Sequence, residues 1–289
     1  MEQVPGIQRR RFGDIVVTAL NDGYIMLPVE AVHGMSAEET DALFRAKGRR
    51  PPFATAINAY LVETPDHKVM IDVGCGRFMG PLLGKLPINL RAAGVAPEEI
   101  GVIVVSHMHI DHVGGLLTDD DTRRYPNARV LIEARELAYW TNMDNRPGSP
   151  PSTQDTFDVV ARVMDAYADR IEAFTGLPDI VPGIEAVPLN GHTPGHTGYA
   201  IGRDQPELII WGDVVHAPEI QFRRPEATVI FDVDPAAAAA SRRAIIERAV
   251  EEDIMIAGMH IPFPGFVRLA RANGAYDFHP QVFQYDLQE

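Results

Sequence analysis

The sequence predicts an α/β protein, a mixed sandwich of sheets and helices with its loops gathered at one edge. Stretches with strand composition alternate with helical stretches in two roughly similar halves. No evident linker divides the 289 residues, a length that suits one large domain. We therefore expect a single domain over residues 1–289, with an N-terminal arm over about residues 1–10.

Local signals place the individual helices and strands. Residues 36–48 indicate a helix, because Ser36 can cap it, Glu39 completes a capping box and Gly48 can end it. Residues 100–105, IGVIVV, are apolar on both faces, as in a buried strand. Other strands are expected at 10–20 (ending in the turn signal NDGY), 57–63, 68–72, 129–132, 184–188, 197–202, 207–211 and 254–257, and other helices at 133–141, 155–169 and 235–251.

The composition restricts the partners and the compartment. A net charge of -14 repels phosphate backbones and anionic lipids, so we expect neither nucleic acid nor membrane as a partner. Cys75 is the single cysteine, which excludes an internal disulfide and a thiolate metal cage, and we expect it to be buried rather than nucleophilic. The N-terminus lacks a long apolar segment after its basic residues, which predicts a cytoplasmic protein.

The most distinctive motif is SHMHIDHVGG, which begins at Ser106 and places three of the ten histidines and an aspartate within six residues. It follows the predicted buried strand directly. Because side chains alternate along an extended chain, His107 and His109 point to the same side. Asp111 and His112 follow on the turn. One segment can therefore serve two adjacent metal ions, with one pair for each.

Three further segments supply candidate ligands, each at or just beyond the end of a predicted strand. His192 and His196 lie in NGHTPGHTG, Asp213 and His216 in IIWGDVVH, and His260 in IAGMHIPFPG. Loops at one edge of a sandwich would bring these segments together. Imidazole and carboxylate ligands without thiolate suit zinc best, with iron or manganese as alternatives.

With these segments in this order and approximate spacing, the chain resembles the metallo-β-lactamase superfamily over roughly residues 58–266. The stretches WGDVVHAPEIQF and AGMHIPFPG are similar to the branch of methyl parathion hydrolases and N-acyl homoserine lactonases. The resemblance implies a four-layer αββα sandwich of two mixed β-sheets flanked by helices. It also implies a binuclear metal centre with two Zn²⁺ per chain, and a homodimer.

The resemblance also implies a role for each matching residue. His107, His109 and His192 would hold one metal, Asp111, His112 and His260 the second, and Asp213 would bridge them. Asp72, in IDVG, matches the family's early Asp-x-Gly and would support the ligand loop through a hydrogen bond. Zinc β-lactamases often carry a cysteine where Asp213 stands, so antibiotic hydrolysis is not the expected activity.

Such a centre predicts hydrolysis. Two divalent ions, two aspartates and a bridging hydroxide leave a net charge of about +1, which lowers the pKa of bound water toward about 7. We expect the metal-bridging hydroxide to attack a small ester-type substrate, a lactone first of all, with aryl ester or phosphotriester activity as alternatives. Asp111 is the expected catalytic residue, shuttling a proton to the leaving group.

The substrate pocket is expected to be apolar. Phe78, Met79, Trp140, Phe222 and Phe263 lie close in sequence to the ligands and could line it, with ordinary core packing as the alternative for each. The long polar loop before the helix at 155–169 is also expected to be functional.

Other activities of the same fold stay open. A thioester hydrolase of the hydroxyacylglutathione type would need a basic patch, and no clear basic C-terminal segment is present. An iron-dependent oxidoreductase is a second alternative, whereas the negative charge disfavours a nuclease of the ribonuclease Z type. The remaining histidines, His33, His67, His196, His216 and His279, are expected not to bind metal.

Overall fold

The computed structural model describes residues 3–287, and within them two seven-stranded mixed sheets form the centre of the molecule. Strands and helices are numbered in chain order. The first sheet consists, in spatial order, of β1 (Ile7–Phe12), β2 (Ile15–Leu27), β4 (Phe53–Glu63), β5 (Lys68–Ile71), β6 (Val102–Val104), β7 (Arg129–Glu133) and β8 (Ile171–Phe174). The second consists of β16 (Ala275–Pro280), β15 (Phe266–Ala272), β14 (Met255–Ala257), β12 (Leu208–Ile210), β11 (Thr197–Ile201), β10 (Ile184–Pro188) and β9 (Asp179–Val181).

The helices and a small strand pair lie outside these sheets. The strand pair is β3 (Val32–His33) with β13 (Thr228–Val229). The helices are α1 (Ala37–Ala46), α2 (Leu86–Ala92), α3 (Ile110–Val113), α4 (Ala134–Thr141), α5 (Thr156–Tyr167), α6 (Pro218–Gln221) and α7 (Pro235–Glu251). None of the helices in this part of the chain combines the length and apolar content needed to cross a membrane.

Three apolar clusters hold the layers together. One lies between the sheets and includes Val69 of β5 and Ile210 of β12. A second packs the first sheet against helices and includes Phe157 of α5, and a third packs the second sheet against α7 through Ile246. The order helix, sheet, sheet, helix is the αββα sandwich, and the predicted fold class is confirmed.

Local sequence signals act where they were expected. The Ser36 hydroxyl accepts from the Glu39 backbone N–H at 3.2 Å, and the Glu39 carboxylate accepts from the Ser36 N–H at 3.0 Å, which completes the capping box of α1. Asp234 caps α7 by accepting from the backbone N–H of Ala237.

The structure departs from two predictions near the N-terminus. The turn expected at NDGY is absent, because β2 continues through it with a bulge between Asn21 and Gly23. The predicted arm at residues 1–10 is shorter, since residues 7–10 pair with β2; residues 1 and 2 lie outside the described part of the chain. Elements not predicted include α2 and the hairpin of β15 with β16.

Parallel strand pairs determine where the functional loops emerge. In the first sheet β5 and β6 are parallel, and in the second β12 and β14 are parallel. Parallel neighbours open their carboxyl ends at the same edge. Asp72 follows β5, the segment containing His107 follows β6, Asp213 follows β12 and His260 follows β14.

Candidate metal centre

Three histidines and one aspartate form a first group at this edge. His107 Nε2 lies 2.9 Å from His109 Nδ1, which lies 3.1 Å from His192 Nε2. Asp213 Oδ2 is 3.4 Å from His192 Nε2 and 3.6 Å from His107 Nε2. All four side chains are buried, so their donor atoms face one another rather than water.

A second group shares Asp213 with the first. Asp213 Oδ1 lies 3.2 Å from His112 Nε2, and its Oδ2 lies 3.0 Å from His260 Nε2. Asp111 Oδ2 lies 3.6 Å from the Nε2 atoms of both histidines. The two oxygens of one buried carboxylate therefore serve both groups.

The donor sets fit divalent cations. His112 Nε2 and Asp213 Oδ1 are buried and, although 3.2 Å apart, form no hydrogen bond with each other or with any other described residue, an arrangement that costs about 1–3 kcal/mol per atom when nothing compensates it. Zinc bonds of about 2.0–2.1 Å to tetrahedral ligands place those ligands roughly 3.3 Å apart, close to the spacings within each group. Within each group the ligand atoms all lie within 4.8 Å of one another, so each could hold one ion.

The electrostatics of the two groups favour positive charge. Burial and neighbouring histidines lower the pKa of His107 and of His109 well below the usual value, which leaves both rings neutral, as metal ligands must be. Burial opposes a proton on His112 and His192 too, but the surrounding carboxylates outweigh it and raise the pKa of His192 to about 9. Carboxylates that favour those protons also favour a cation in their place.

The rings of His112 and His260 are each held by a hydrogen bond from the nitrogen that faces away from Asp213. Asp72 Oδ2 accepts from His112 Nδ1 at 2.7 Å, and its Oδ1 accepts from the Ser106 N–H at 2.7 Å. His260 Nδ1 donates to the Ala56 carbonyl at 2.9 Å. Such contacts set the ring orientation and the tautomer of a ligand.

Asp232 orients His192 and was not identified from the sequence. Its Oδ1 accepts from His192 Nδ1 at 2.8 Å, while its Oδ2 accepts from the Val229 N–H at 3.0 Å. Asp232 is 40 residues away from His192 and belongs to no motif, so nothing in the sequence pairs the two.

His196 supports the backbone of Asp213. Its Nδ1 donates to the Leu189 carbonyl and its Nε2 accepts from the Asp213 N–H, both at 2.9 Å. Burial lowers the pKa of His196 to about 3, so the ring stays neutral in this role. Gly212 is needed beside it, because a Cβ there would lie 2.4 Å from His196 Nε2.

A cavity opens onto the two groups. Besides His109, Asp111, Asp213 and His260, its wall contains Ile25, Met79, Ile110, Ser152, Thr153, Thr156, His216 and Phe231. The long polar loop that was expected to be functional contributes Ser152 and Thr153. The apolar part of the remaining wall consists of Ile25, Met79, Ile110 and Phe231, and of these four the sequence analysis had singled out Met79 alone.

Of the five residues expected to line the substrate pocket, the structure places one in the cavity wall and four in or against the apolar cores. Met79 lines the cavity. Trp140 and Phe222 are instead buried in the two helix–sheet cores, Phe222 packing against Trp211. Phe78 packs against the first of these cores and Phe263 against the core between the sheets. Proximity in sequence to a ligand therefore did not predict which side chains face the cavity, because helix and loop directions carry them away.

His216, expected not to bind metal, lies in the cavity wall. Its Nε2 is 3.1 Å from Asp213 Oδ2, and its ring stacks on that of His260 with centroids 4.7 Å apart. Its position three residues after Asp213 in WGDVVH was the available signal. The other unassigned histidines at 33, 67 and 279 are exposed.

Comparisons with known proteins agree with this geometry. The family model described as "Metallo-beta-lactamase superfamily" matches residues 53–260. N-acyl homoserine lactonase AiiB of Agrobacterium fabrum is 34% identical over 193 residues, 55% of this chain and 63% of that protein. The matched part of the chain spans 60% to 63% of the length of AiiB and of two further curated relatives.

Two solved structures share the whole architecture. Hydrolase AbOPH of the beta lactamase superfamily has a TM-score of 0.91 and 29% identity, covering 98% of this chain and 100% of that one. AidC, a dizinc quorum-quenching lactonase, has the same TM-score and coverage at 23% identity, which supports the fold alone. Since the family model covers more than half of the chain and its span contains all seven candidate ligands, the chain belongs to the metallo-β-lactamase superfamily.

Proposed function

We propose that this protein is a dinuclear metal-dependent hydrolase that opens lactones. The observation that carries the proposal is the pair of histidine–aspartate groups sharing Asp213 beneath a cavity whose other wall residues are apolar or neutral. Divalent ions bound there, zinc in this proposal, would supply an activated water and would polarise the ester carbonyl. The lactonase name of the relative AiiB supports the same substrate class.

The ligand assignment follows the two groups. The first ion would be held by His107, His109 and His192 and the second by Asp111, His112 and His260, with Asp213 available to both. Asp72 and Asp232 orient one ring in each group from behind.

Asp111 handles the proton in this proposal. It is the one partly exposed member of the two groups, and it lines the cavity. Water attack on the carbonyl carbon forms one C–O bond, and opening of the ring breaks the acyl C–O bond to the leaving alkoxide. Asp111 accepts the proton of the attacking water and passes it to that alkoxide, so the product is a hydroxy acid.

His216 is placed to bind a substrate oxygen. Burial lowers its pKa to about 4, so the ring is neutral near pH 7 and has one N–H, which can donate to a substrate oxygen from Nδ1 when it is not on Nε2, 3.1 Å from Asp213 Oδ2. Its Nδ1 is buried without a hydrogen-bond partner among residues 3–287.

The cavity wall favours neutral substrates over glutathione thioesters. Ile25, Met79, Ile110 and Phe231 are apolar, and the two residues that the long loop contributes to the wall, Ser152 and Thr153, are neutral. In the described part of the chain no lysine or arginine lines this cavity, although a glutathione conjugate carries carboxylates that need such partners. Lactones with acyl tails, aryl esters and phosphotriesters are neutral, so they can contact the apolar wall without burying an unpaired carboxylate.

A substrate panel tests the proposal. Metal-replete protein is assayed with an acyl-homoserine lactone, a p-nitrophenyl ester, methyl paraoxon and lactoylglutathione. We expect the highest kcat/KM with the lactone and loss of activity in His260→Ala. His67→Ala, which removes an exposed histidine, is the matched control and keeps activity. The highest efficiency with lactoylglutathione would overturn the proposal in favour of a thioester hydrolase.

Metal analysis of the same sample tests the other alternative. Mass spectrometry should find two zinc ions per chain. Iron in their place, together with no turnover of any ester, would favour an oxidoreductase.

The homodimer and the cytoplasmic location remain predictions. Light scattering coupled to size exclusion tests the first, expecting twice the mass of one chain. Fractionation of the producing cells tests the second.

A further inference from the structure

A buried glutamate outside the proposed ligand set connects both loops of the first metal group. Glu136, on α4, is 1% exposed. Its Oε1 accepts from the Met108 backbone N–H at 2.9 Å and from Trp140 Nε1 at 2.7 Å. Its Oε2 accepts from the Gly195 N–H at 2.9 Å. Both oxygens therefore accept hydrogen bonds, from donors in three separate places.

Two of these contacts fix the first ligand segment. Met108 lies between His107 and His109, so holding its amide holds the backbone on which both rings are mounted. The indole of Trp140 packs edge-on against the His109 ring, with centroids 5.3 Å apart. Glu136 thus acts on His109 from the backbone and through a neighbouring ring.

The third contact fixes the loop that carries His192. Gly195 lies three residues after His192, and the loop is pressed against the start of α4. A Cβ on Gly195 would lie 2.4 Å from the Glu136 backbone N and 2.4 Å from a Glu133 carboxylate oxygen. Only glycine permits this approach, and the Glu136 carboxylate then determines how far apart the two loops stand.

The hydrogen bonds of Glu136 leave the second group untouched. His112 and His260 are oriented by Asp72 and by the Ala56 carbonyl, whereas the hydrogen bonds of Glu136 go to Met108, Trp140 and Gly195. We propose that Glu136 is a positioning residue that sets the spacing of His107, His109 and His192 and so determines the cation affinity of the first group selectively. This inference rests on the ligand assignment in the proposed function.

Glu136→Gln is the test, because it keeps the shape of the side chain. Its amide nitrogen replaces one acceptor and must face either the Gly195 N–H or the N–H groups of Met108 and Trp140. Loss of such an outer partner typically weakens metal affinity by about 10–100-fold. We expect that loss for zinc at the first group and an unchanged affinity at the second.

The two affinities are separated by using backgrounds with one group disabled. His260→Ala leaves the first group and His192→Ala leaves the second, and zinc affinity is measured in each by competition with a chromophoric chelator. Trp140→Phe is a milder variant that removes one donor and keeps the ring on His109. Trp140→Phe should lower zinc affinity at the first group by a smaller factor and leave zinc affinity at the second group unchanged. It also keeps the test available if Glu136→Gln does not fold.

Asp22→Asn is the matched control. Asp22 is another buried carboxylate, and it accepts from the backbone N–H groups of Cys75 and Leu86. The segment between these two donors contains no proposed ligand. We expect it to lower the unfolding temperature but to leave zinc affinity at the first group unchanged. Equal weakening of both groups by Glu136→Gln, no weakening, or the same loss in Asp22→Asn would overturn the inference. Because no substrate is involved, normal zinc binding without lactone hydrolysis would count against the proposed function alone.

Discussion

At the scale of single residues, the two ring nitrogens of His112, of His192 and of His260 have different contacts. One nitrogen of each faces Asp213, while the other is bound to Asp72, Asp232 or the Ala56 carbonyl. The second contact allows only one ring orientation, so the inward nitrogens are in place before a cation arrives.

Asp232→Asn should therefore weaken zinc binding without removing a ligand. The amide keeps the size of the side chain but removes the negative charge behind His192. We expect about 10–100-fold weaker binding at the first group, measured by chelator competition. Asp120→Asn, at an exposed position, is the control and should bind zinc like the wild type. Equal affinity in all three proteins would show that Asp232 has no orienting role.

Asp111→Asn should separate metal binding from turnover. The amide can still offer an oxygen to the second ion but cannot carry a proton, so we expect kcat on a lactone to fall by about 10²–10⁴-fold. Metal content is measured on the same preparation. Wild-type turnover at full metal occupancy would contradict the proton-transfer role.

At the scale of the elements, close backbone approaches hold the ligand segment in place. Gly115, at the end of SHMHIDHVGG, packs so tightly that a Cβ there would lie 1.8 Å from the Val73 carbonyl oxygen. Val73 also donates its backbone N–H to the His112 carbonyl. The segments after β5 and β6 are therefore tied together by backbone, with no room for a side chain between them.

Gly115→Ala should consequently destabilise the fold. Overpacking of this kind costs about 1–3 kcal/mol, and here the obstacle is backbone that cannot rotate away. Urea unfolding monitored by circular dichroism measures the change. Gly101→Ala is the control, because a Cβ at Gly101 meets nothing within 4 Å. Similar unfolding midpoints for both variants would contradict the packing argument.

At the scale of the whole molecule, the centre joins the two sheets. His107 follows a strand of the first sheet, whereas Asp213 and His260 follow strands of the second. In the proposed assignment the first cation would join His107 to Asp213, and the second would join His112 to His260 and Asp213, so each cation would connect the two sheets of the folded chain. Neither cation has a comparable site in the unfolded chain. Binding therefore adds to the free energy of unfolding by mass action.

Removal of metal should accordingly lower the unfolding temperature. Free zinc at about 100 times its dissociation constant contributes about 2.7 kcal/mol. We expect calorimetry to show a lower midpoint in chelator and recovery when zinc is added back. A double variant, His192→Ala with His260→Ala, should respond to neither treatment. An unchanged midpoint in the unmodified protein would be incompatible with a metal centre that joins the sheets.

Features that depend on neighbours in the chain were predictable. The capping box at Ser36, the helix start at Asp234 and the buried strand before His107 each follow from side chains within a few residues of one another. The turn expected around Tyr24 was wrong because strand pairing with β4 overrides the local preference of NDGY.

By itself, the sequence determined the layered α/β fold and which histidines and aspartates were candidates, because strand ends and ligand types can be recognised along the chain. Only the tertiary structure decided that Asp232 and Glu136 lie behind the candidate ligands, that His216 lines the cavity, and that Phe222 does not. These are contacts between distant segments. Their formation depends on how the sheets and helices pack, and packing brings together side chains that no local spacing relates.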